Sequence, residues 1–269
     1  MQKKNTIDVA NVNKHIVNWL KTYALNAKVN GFVVGISGGV DSAVTSTLCA
    51  QTGLKVLCVE MPIHQDPKQV SRGREHIEQL KNRFTNVSNA IADLTSTFET
   101  FKSSVTETDD LAKLNLSLAN TRARLRMTTL YYFAGINGLL VAGTGNKVED
   151  FGVGFFTKYG DGGVDLSPIA DLMKSDVYSL GEYLGIPESI LKAAPTDGLF
   201  GDDRTDEDQL GASYDELEWA MLADEAGNIS YNFSGREKIV FDIYKRLNRL
   251  NQHKMNAIPV CKIPELIKQ

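Results

Sequence analysis

The sequence has few cysteines, and their arrangement would not cross-link the chain. Three of its 269 residues are cysteine, namely Cys49, Cys58 and Cys261. This odd number, without a Cys-x-x-Cys spacing, indicates neither a disulfide framework nor a thiolate zinc site. Cys49 and Cys58 lie in apolar runs, so we expect both to be buried free thiols. A chain of this length can bury a sizeable core without such cross-links.

The sequence also lacks an excess of positive charge and any long apolar segment. It contains 29 lysines and arginines against 33 aspartates and glutamates, a net charge of -4. This balance argues against a general nucleic-acid-binding protein, which is usually basic. Neither the N-terminus nor any later stretch has the apolar length of a signal peptide or a membrane span. We therefore expect a cytoplasmic protein with no nucleic acid and no membrane among its partners.

Apolar runs and helical periodicity alternate along the first 150 residues. We predict strands over residues 31–36, 54–59, 86–91 and 139–142. We predict helices over residues 43–50, 69–82, 95–101 and 109–135, after an opening helix with Ile16, Trp19, Leu20 and Tyr23 on its buried face. The alternation predicts an α/β fold, a doubly wound parallel sheet with helices on both faces. In such a sheet the active site lies at the carboxyl ends of the strands.

The second half of the chain differs in composition. The stretch Gly152–Gly163 holds five glycines, which is typical of a shaped loop. We predict further helices over residues 174–184, 213–226 and 236–252. Between them, Gly198–Gly211 carries five acidic residues within Asp202–Asp208. This segment is either a hydrated loop or a mobile lid over the site.

The strongest functional signal lies between the first predicted strand and the helix after it. It consists of Gly35, Ile36, Ser37, Gly38, Gly39, Val40, Asp41 and Ser42. Adjacent glycines allow a tight turn and close approach of a ligand, and the next helix offers unpaired N–H groups to an anion. Asp41 would repel a phosphate unless a cation lies between them, and Mg²⁺ typically binds one or two carboxylates together with phosphate oxygens. The Gly-Lys-Ser/Thr of a Walker A motif is absent.

This loop resembles the pyrophosphate loop of the ATP pyrophosphatase superfamily, whose members cleave ATP between the α and β phosphates. Further sequence blocks are Gly143-Thr144-Gly145-Asn146-Lys147-Val148-Glu149, Gly154–Gly163 with Asp165, Ala123-Arg124-Leu125-Arg126-Met127, Lys174, Ala194-Pro195-Thr196 and His253-Lys254. These blocks resemble those of the NAD synthetase family, a member of this superfamily. The resemblance implies a Rossmann-like fold. A common version of the family has Asp-His where this chain has Gly145-Asn146, and a second branch also has Gly-Asn.

The resemblance implies an activity and a set of site residues. The activity is ATP-dependent amidation of deamido-NAD with ammonia, through an adenylated intermediate, in a homodimer. ATP is assigned to Gly35–Ser42, Thr144, Lys174 and Thr196, and Mg²⁺ to Asp41 and Glu149. Deamido-NAD is assigned to Arg124, Lys158, Asp165, His253 and Lys254.

Two residues are candidates for catalysis. Lys174 could be a surface lysine at the start of a helix, but the resemblance implies that it contacts phosphate oxygens, where charge develops in the transition state. Asp161 is a candidate for orienting or deprotonating ammonia, although its glycine-rich setting is equally typical of a turn residue. Only 34 residues precede Gly35, too few for the amidohydrolase domain of glutamine-using relatives. We therefore expect a single domain over residues 1–269 that uses free ammonia.

Two other functions are compatible with the loop alone. A tRNA thiolation enzyme would usually have a reactive cysteine or a cluster-binding set and a basic surface, and the acidic balance weighs against it. A nucleotide sensor without catalytic activity could lose Asp41, Glu149 or Lys174, and all three are present.

Overall fold

The computed structural model describes residues 7–196 and 205–268. In the first half the elements are α1 Val9–Ala27, β1 Gly31–Gly35, α2 Val40–Gln51, β2 Lys55–Glu60, α3 Pro67–Arg83, β3 Val87–Ile91, α4 Thr95–Ser104, α5 Leu111–Asn137 and β4 Leu140–Val141. In the second half they are a π-helix Val148–Val153, α6 Lys174–Leu184, α7 Glu188–Leu191, α8 Asp206–Leu210, α9 Tyr214–Glu225, α10 Gly235–Met255 and 3₁₀ turns at Ser230–Asn232 and Glu265–Ile267.

The strands form a parallel sheet in the order β3-β2-β1-β4, which confirms the predicted fold. Successive residues of a strand point to opposite faces. Phe32 and Val34 therefore pack into the cluster formed with α1, α2, α3 and α6, whereas Val33 packs against α5. Because helices cover both faces, the central strand β1 and the middle of β2 are continuous apolar runs, whereas the edge strand β3 includes Ser88 and Asn89. This arrangement leaves the carboxyl ends of β1, β2 and β4 accessible for a ligand.

A separate apolar cluster lies beyond the sheet and carries part of the site. Val148 and Val153 of the π-helix pack there with Leu217 of α9 and Phe241 of α10. Gly152 of the π-helix lies so close to α9 that an added Cβ would be 2.6 Å from the Met221 sulfur. The predicted loop at Gly152–Gly163 therefore begins inside the π-helix, where Gly152 packs against the Met221 side chain.

Some predicted buried faces were wrong in detail. Trp19 and Tyr23 of α1 are 40% and 42% exposed, and the buried residues are Ile16, Leu20 and Ala24. The face of α1 that packs against α2 and α6 is a stripe of every fourth residue, narrower than the predicted one. Cys49 and Cys58 are buried free thiols as predicted, and burial raises the pKa of both. Across the parts of the chain that the structure describes, no helix combines the length and apolarity needed to cross a membrane.

A buried hydrogen bond joins α2 to α3 beneath the loop at 35–42. Ser46 and His76 are both fully buried, and Ser46 Oγ lies 2.9 Å from His76 Nε2. Ser46 donates its one proton to the Ser42 carbonyl oxygen at 2.7 Å, so His76 Nε2 is the donor to Ser46. His76 Nδ1 is buried without a hydrogen-bond partner among the described residues. Burial and the nearby Arg83 lower the pKa of His76 to about 4.

We expect the unfolding free energy to depend on His76 in mild acid. Between the ordinary histidine pKa of 6.5 and the folded value of about 4, the unfolded chain binds a proton that the folded protein excludes. Above pH 6.5 His76 therefore does not lower the free energy of unfolding. As the pH falls from 6.5 to 4, protonation of the unfolded chain at this residue lowers the free energy of unfolding by about 3 kcal/mol. Urea unfolding of His76→Gln should show a shallower pH dependence than the wild type. The exposed His64→Gln is the control, and an unchanged slope in His76→Gln would contradict the assignment.

Candidate active site

A pocket lies at the carboxyl ends of β1, β2 and β4, where the predicted fold places an active site. Its walls include all of the residues predicted for ATP, metal and ammonia. They are the loop Gly35–Ser42 together with Thr144, Glu149, Asp161, Lys174 and Thr196. Residues distant in sequence thus meet at one edge of the sheet, as the switch between β1 and β4 requires.

The loop at 35–42 is held in shape by its own hydroxyl groups and by α3. Ser42 Oγ donates to the Gly39 carbonyl oxygen at 3.0 Å and accepts from the Ser37 N–H at 3.3 Å. Gly38 has φ +82, and an added Cβ would lie 2.4 Å from the Gln69 carbonyl oxygen, so only glycine fits. Gly39 caps α2 without a side-chain hydrogen bond. The first N–H groups of α2 therefore remain available to an anion in the pocket.

Lys174 is the first residue of α6 and lies between two predicted metal ligands. Its ammonium group is 2.7 Å from Asp41 Oδ2 and 3.0 Å from Glu149 Oε1, and its side chain is 4% exposed. Burial disfavours its charge, but the two carboxylates outweigh burial and raise the pKa of Lys174. The start of α6 is fixed by Glu218, which accepts from the Ser175 N–H at 2.8 Å and from the Ser175 hydroxyl at 2.7 Å. Lys174 is therefore a fixed positive charge beside the loop at 35–42.

Asn146 joins the two predicted metal ligands and was not among the predicted site residues. It is fully buried, and its amide donates to Asp41 Oδ1 at 3.0 Å. Its side-chain oxygen accepts from the N–H groups of Val148 and Glu149 at 3.1 and 3.2 Å, at the start of the π-helix. The only sequence signal was its place between the Gly-Thr-Gly turn and Glu149.

The π-helix brings two consecutive acids, Glu149 and Asp150, to the pocket. Asp150 was not predicted. Burial, followed by the charges of Glu149, Asp161 and Asp41, raises its pKa to about 8. An added Cβ on Gly145 would lie 2.2 Å from the Asp150 carboxylate, so Asp150 fills the space beside this glycine.

Asp161 faces the pocket and also shapes the glycine-rich loop. Its carboxylate accepts from the Thr157 N–H at 3.0 Å, so the turn role predicted for it exists in the structure. The surrounding protein partly desolvates the carboxyl group and raises the pKa of Asp161 to about 6; backbone hydrogen bonds and Lys254 oppose this rise. Asp161 lines the pocket, and its role in orienting or deprotonating ammonia stays a prediction.

Tyr214, at the start of α9, contacts both Lys174 and Glu149. Its hydroxyl donates to Glu149 Oε1 at 2.6 Å, and its ring centre lies 4.7 Å from the Lys174 ammonium. Burial and the carboxylates of Glu149 and Asp206 raise the pKa of Tyr214. Sequence reasoning missed it because it lies outside the quoted motifs.

Four residues predicted to bind deamido-NAD form a second group, and none of them lines the pocket. Arg124 donates to the Lys158 carbonyl oxygen at 3.2 Å, and Lys158 donates to the His253 carbonyl oxygen. Lys254 donates to the carbonyl oxygens of Gly154 and of Phe156, the latter at 2.7 Å. These contacts gather positive charge where α5, the glycine-rich loop and α10 meet.

Asp165, the fifth residue predicted for deamido-NAD, lies apart from this group. Its carboxylate accepts from the Tyr131 hydroxyl at 2.9 Å and from the Val141 N–H at 2.8 Å, so it anchors β4 to α5. Tyr131 of α5 is 40% exposed, and its hydroxyl group reaches this carboxylate.

The pocket extends past the loop at 35–42 to residues that sequence reasoning did not select. Arg126 donates to the Met61 carbonyl oxygen at 3.0 Å and to Gln65 Oε1 at 2.7 Å. It lies two residues from Arg124 on α5, and the two therefore point in different directions. Of the predicted lid, Gly198–Arg204 lies outside the described residues, while the rest forms α8 with its Thr205 cap and Gly211.

Comparison with known proteins assigns this arrangement to a family. The family model described as NAD synthase matches residues 12–257. The chain belongs to the NAD synthase family. Among its relatives, an NH₃-dependent NAD⁺ synthetase of Carboxydothermus hydrogenoformans is 38% identical over 252 residues, 93% of this chain and 94% of that protein.

Two solved structures place this NAD synthase family member among known folds. An NMN synthetase from Francisella tularensis is 30% identical with a TM-score of 0.80, covering 96% of this chain and 99% of its own. An NH₃-dependent NAD synthetase from Campylobacter jejuni is 24% identical with a TM-score of 0.76, covering 95% and 100%. The similarity to the Campylobacter jejuni structure shows the fold alone. The similarity to the Francisella tularensis structure, at 30% identity, also supports the family assignment.

We expect Lys174→Met to lower the unfolding free energy by about 3 kcal/mol, because it leaves two partly buried carboxylates without their cation. Lys147→Met is the matched control in the same part of the chain. Lys147 pairs with exposed carboxylates of Asp171 and Glu225 at 3.8 and 3.4 Å, so its loss should cost less than about 1 kcal/mol. Urea unfolding measures both, and equal losses would contradict the special position of Lys174.

Proposed function

We propose that the protein amidates deamido-NAD with ammonia and consumes ATP, giving NAD, AMP and pyrophosphate through an adenylated intermediate. The observation that carries this proposal is the pocket that joins the loop Gly35–Ser42 to Lys174, Asp41 and Glu149. Membership of the NAD synthase family favours this activity over a tRNA thiolation enzyme or a nucleotide sensor.

The reaction requires the protein to bring two anionic substrates together. A carboxylate is a poor acyl donor, because oxide or hydroxide is a poor leaving group, and adenylation replaces it with AMP. The N–H groups at the start of α2 and the ammonium of Lys174 offset the charge of the phosphates. Holding the nicotinate carboxylate in line with the α-phosphorus can contribute roughly 7–11 kcal/mol to lowering the barrier. Ammonia then displaces AMP, and Asp161 is the candidate to orient it.

We also propose that Asp41 and Glu149 hold Mg²⁺ together with phosphate oxygens. Both carboxylates converge on one ammonium group at 2.7 and 3.0 Å, so their oxygens already share a cation. Among the described residues, no group of three or more His, Cys, Asp or Glu side chains is arranged to hold a metal. A pair of carboxylates suits Mg²⁺, which keeps water and phosphate oxygens among its ligands. Bound there, Mg²⁺ would neutralise phosphate charge.

The proposed site for the second half of the dinucleotide is the group formed by Arg124, Lys158, His253 and Lys254. The positive charge of these side chains would face a phosphate of the dinucleotide. Asp165 belongs to this proposal by family resemblance only, since its carboxylate supports β4. A homodimer and a single domain remain proposals on the same footing, and a cytoplasmic location remains a prediction from the sequence.

Substrate and nitrogen source can be tested in one assay. With ATP, magnesium and ammonium chloride, the purified protein should form NAD from deamido-NAD; with glutamine in place of ammonium it should not. Nicotinate mononucleotide is the matched substrate control, because a relative is named as an NMN synthetase. Faster amidation of the mononucleotide would overturn the dinucleotide as substrate, and amidase-free synthesis with glutamine would overturn ammonia as the nitrogen source.

We expect Asp41→Asn to fold and to release pyrophosphate about 100-fold more slowly, because the site loses one carboxylate of its proposed metal pair. Asp171→Asn is the control, since Asp171 is fully exposed and pairs with Lys147 at 3.8 Å. Pyrophosphate release should be followed over a magnesium titration. Turnover at the wild-type rate and an unchanged magnesium requirement in Asp41→Asn would remove Asp41 from the site.

A further inference from the structure

Tyr214 contacts the ATP end of the site without entering the pocket. Its hydroxyl lies 2.6 Å from Glu149 Oε1 and 3.3 Å from Asp206 Oδ2, and its ring centre lies 4.7 Å from the ammonium of Lys174. Glu149, Lys174 and Asp206 line the pocket, whereas Tyr214 does not and is 5% exposed. A side chain so placed can act on a ligand only through the residues it holds.

The hydroxyl has one proton and faces two carboxylates. A phenol donates one hydrogen bond, and the shorter distance directs it to Glu149. Hydrogen bonds to a carboxylate are shorter and stronger than those between neutral groups. The same Glu149 oxygen also accepts from Lys174 at 3.0 Å. Tyr214, which does not line the pocket, therefore restricts the orientation of this carboxylate.

The backbone of Tyr214 is fixed as firmly as its side chain. Ser213 caps α9 through a reciprocal pair with Glu216, in which the Glu216 N–H donates at 3.2 Å and the Ser213 N–H donates at 2.9 Å. Arg236 of α10 donates to both oxygens of Glu216 at 2.7 and 2.6 Å. The Tyr214 N–H donates to Glu207 Oε1 of α8 at 3.0 Å. Three helices thus determine where the hydroxyl lies, which is the rigidity that a supporting residue needs.

We propose that Tyr214 is a positioning residue for ATP and its metal. Its hydroxyl sets the direction of the Glu149 carboxylate, and its ring supports the ammonium of Lys174. The inference rests on the proposed function for the identity of the nucleotide. It adds α9 to the elements that determine nucleotide affinity.

The test is Tyr214→Phe, which keeps the ring and removes the hydroxyl. We expect the KM for ATP and the magnesium concentration for half-maximal rate to rise about tenfold, the size typical of one hydrogen bond to a charged group. The KM for deamido-NAD should stay unchanged, because the second group of binding residues does not contact Tyr214. Calorimetric titration with α,β-methylene-ATP and magnesium chloride gives a direct readout, with a Kd about tenfold higher than for the wild type.

Tyr244→Phe is the matched control. Tyr244 is 6% exposed, and its hydroxyl lies 3.3 Å from Asp224 Oδ2, at a distance from the pocket. Its removal should lower the unfolding temperature without changing the Kd for the analogue. An unchanged Kd in Tyr214→Phe, or an equal loss of affinity for ATP and deamido-NAD, would overturn the proposal. Wild-type protein that binds the analogue but forms no NAD would overturn only the proposed function, and the two Kd values would still decide the role of Tyr214.

Discussion

The ion pairs of Lys174 with Asp41 and Glu149 are the interaction on which the site depends. Each partner comes from a different element: Asp41 from the first turn of α2, Glu149 from the π-helix and Lys174 from the first residue of α6. These elements must therefore meet within hydrogen-bond distance. A buried ion pair is weak evidence of stabilisation, because desolvation opposes the attraction between the charges. Its position beside a loop suited to phosphate argues for function instead.

Several irregular features of the fold follow from this requirement. Asn146 connects the Asp41 side chain to the backbone of Glu149. This connection lies at the start of the π-helix that follows the turn after β4. Gly145 leaves room for the Asp150 carboxylate, and Gly152 allows α9 to approach. The second effect brings Tyr214 to Glu149. A regular α-helix would carry two successive acids farther apart around its axis than a π-helix does.

The centre of the sheet was predictable because both of its faces are covered, which makes β1 and the middle of β2 continuous apolar runs; the edge strand β3 includes Ser88 and Asn89. The loop at 35–42 was predictable because its glycines and serines are adjacent in sequence. Asn146, Asp150 and Tyr214 were not, since their roles depend on contacts between distant segments and on a helix type without a simple sequence period. The exposed Trp19 and Tyr23 show the same limit: periodicity locates a helix, but the width of its buried stripe depends on what packs against it.

The charges that line the pocket bear on how it could accept a phosphate. Among the described residues the lining holds six carboxyl groups, those of Asp41, Glu60, Glu149, Asp150, Asp161 and Asp206, and three basic groups, those of Arg72, Arg126 and Lys174. With a pKa of about 8, Asp150 is mostly protonated at neutral pH, while Asp161, with a pKa of about 6, is mostly ionised. Even with Asp150 neutral, the acidic groups of this lining outnumber the basic ones. Phosphates would be repelled from this lining by Coulomb forces unless a divalent cation entered with them. The same excess of acceptor oxygens suits a small nitrogen nucleophile, whose hydrogens need partners.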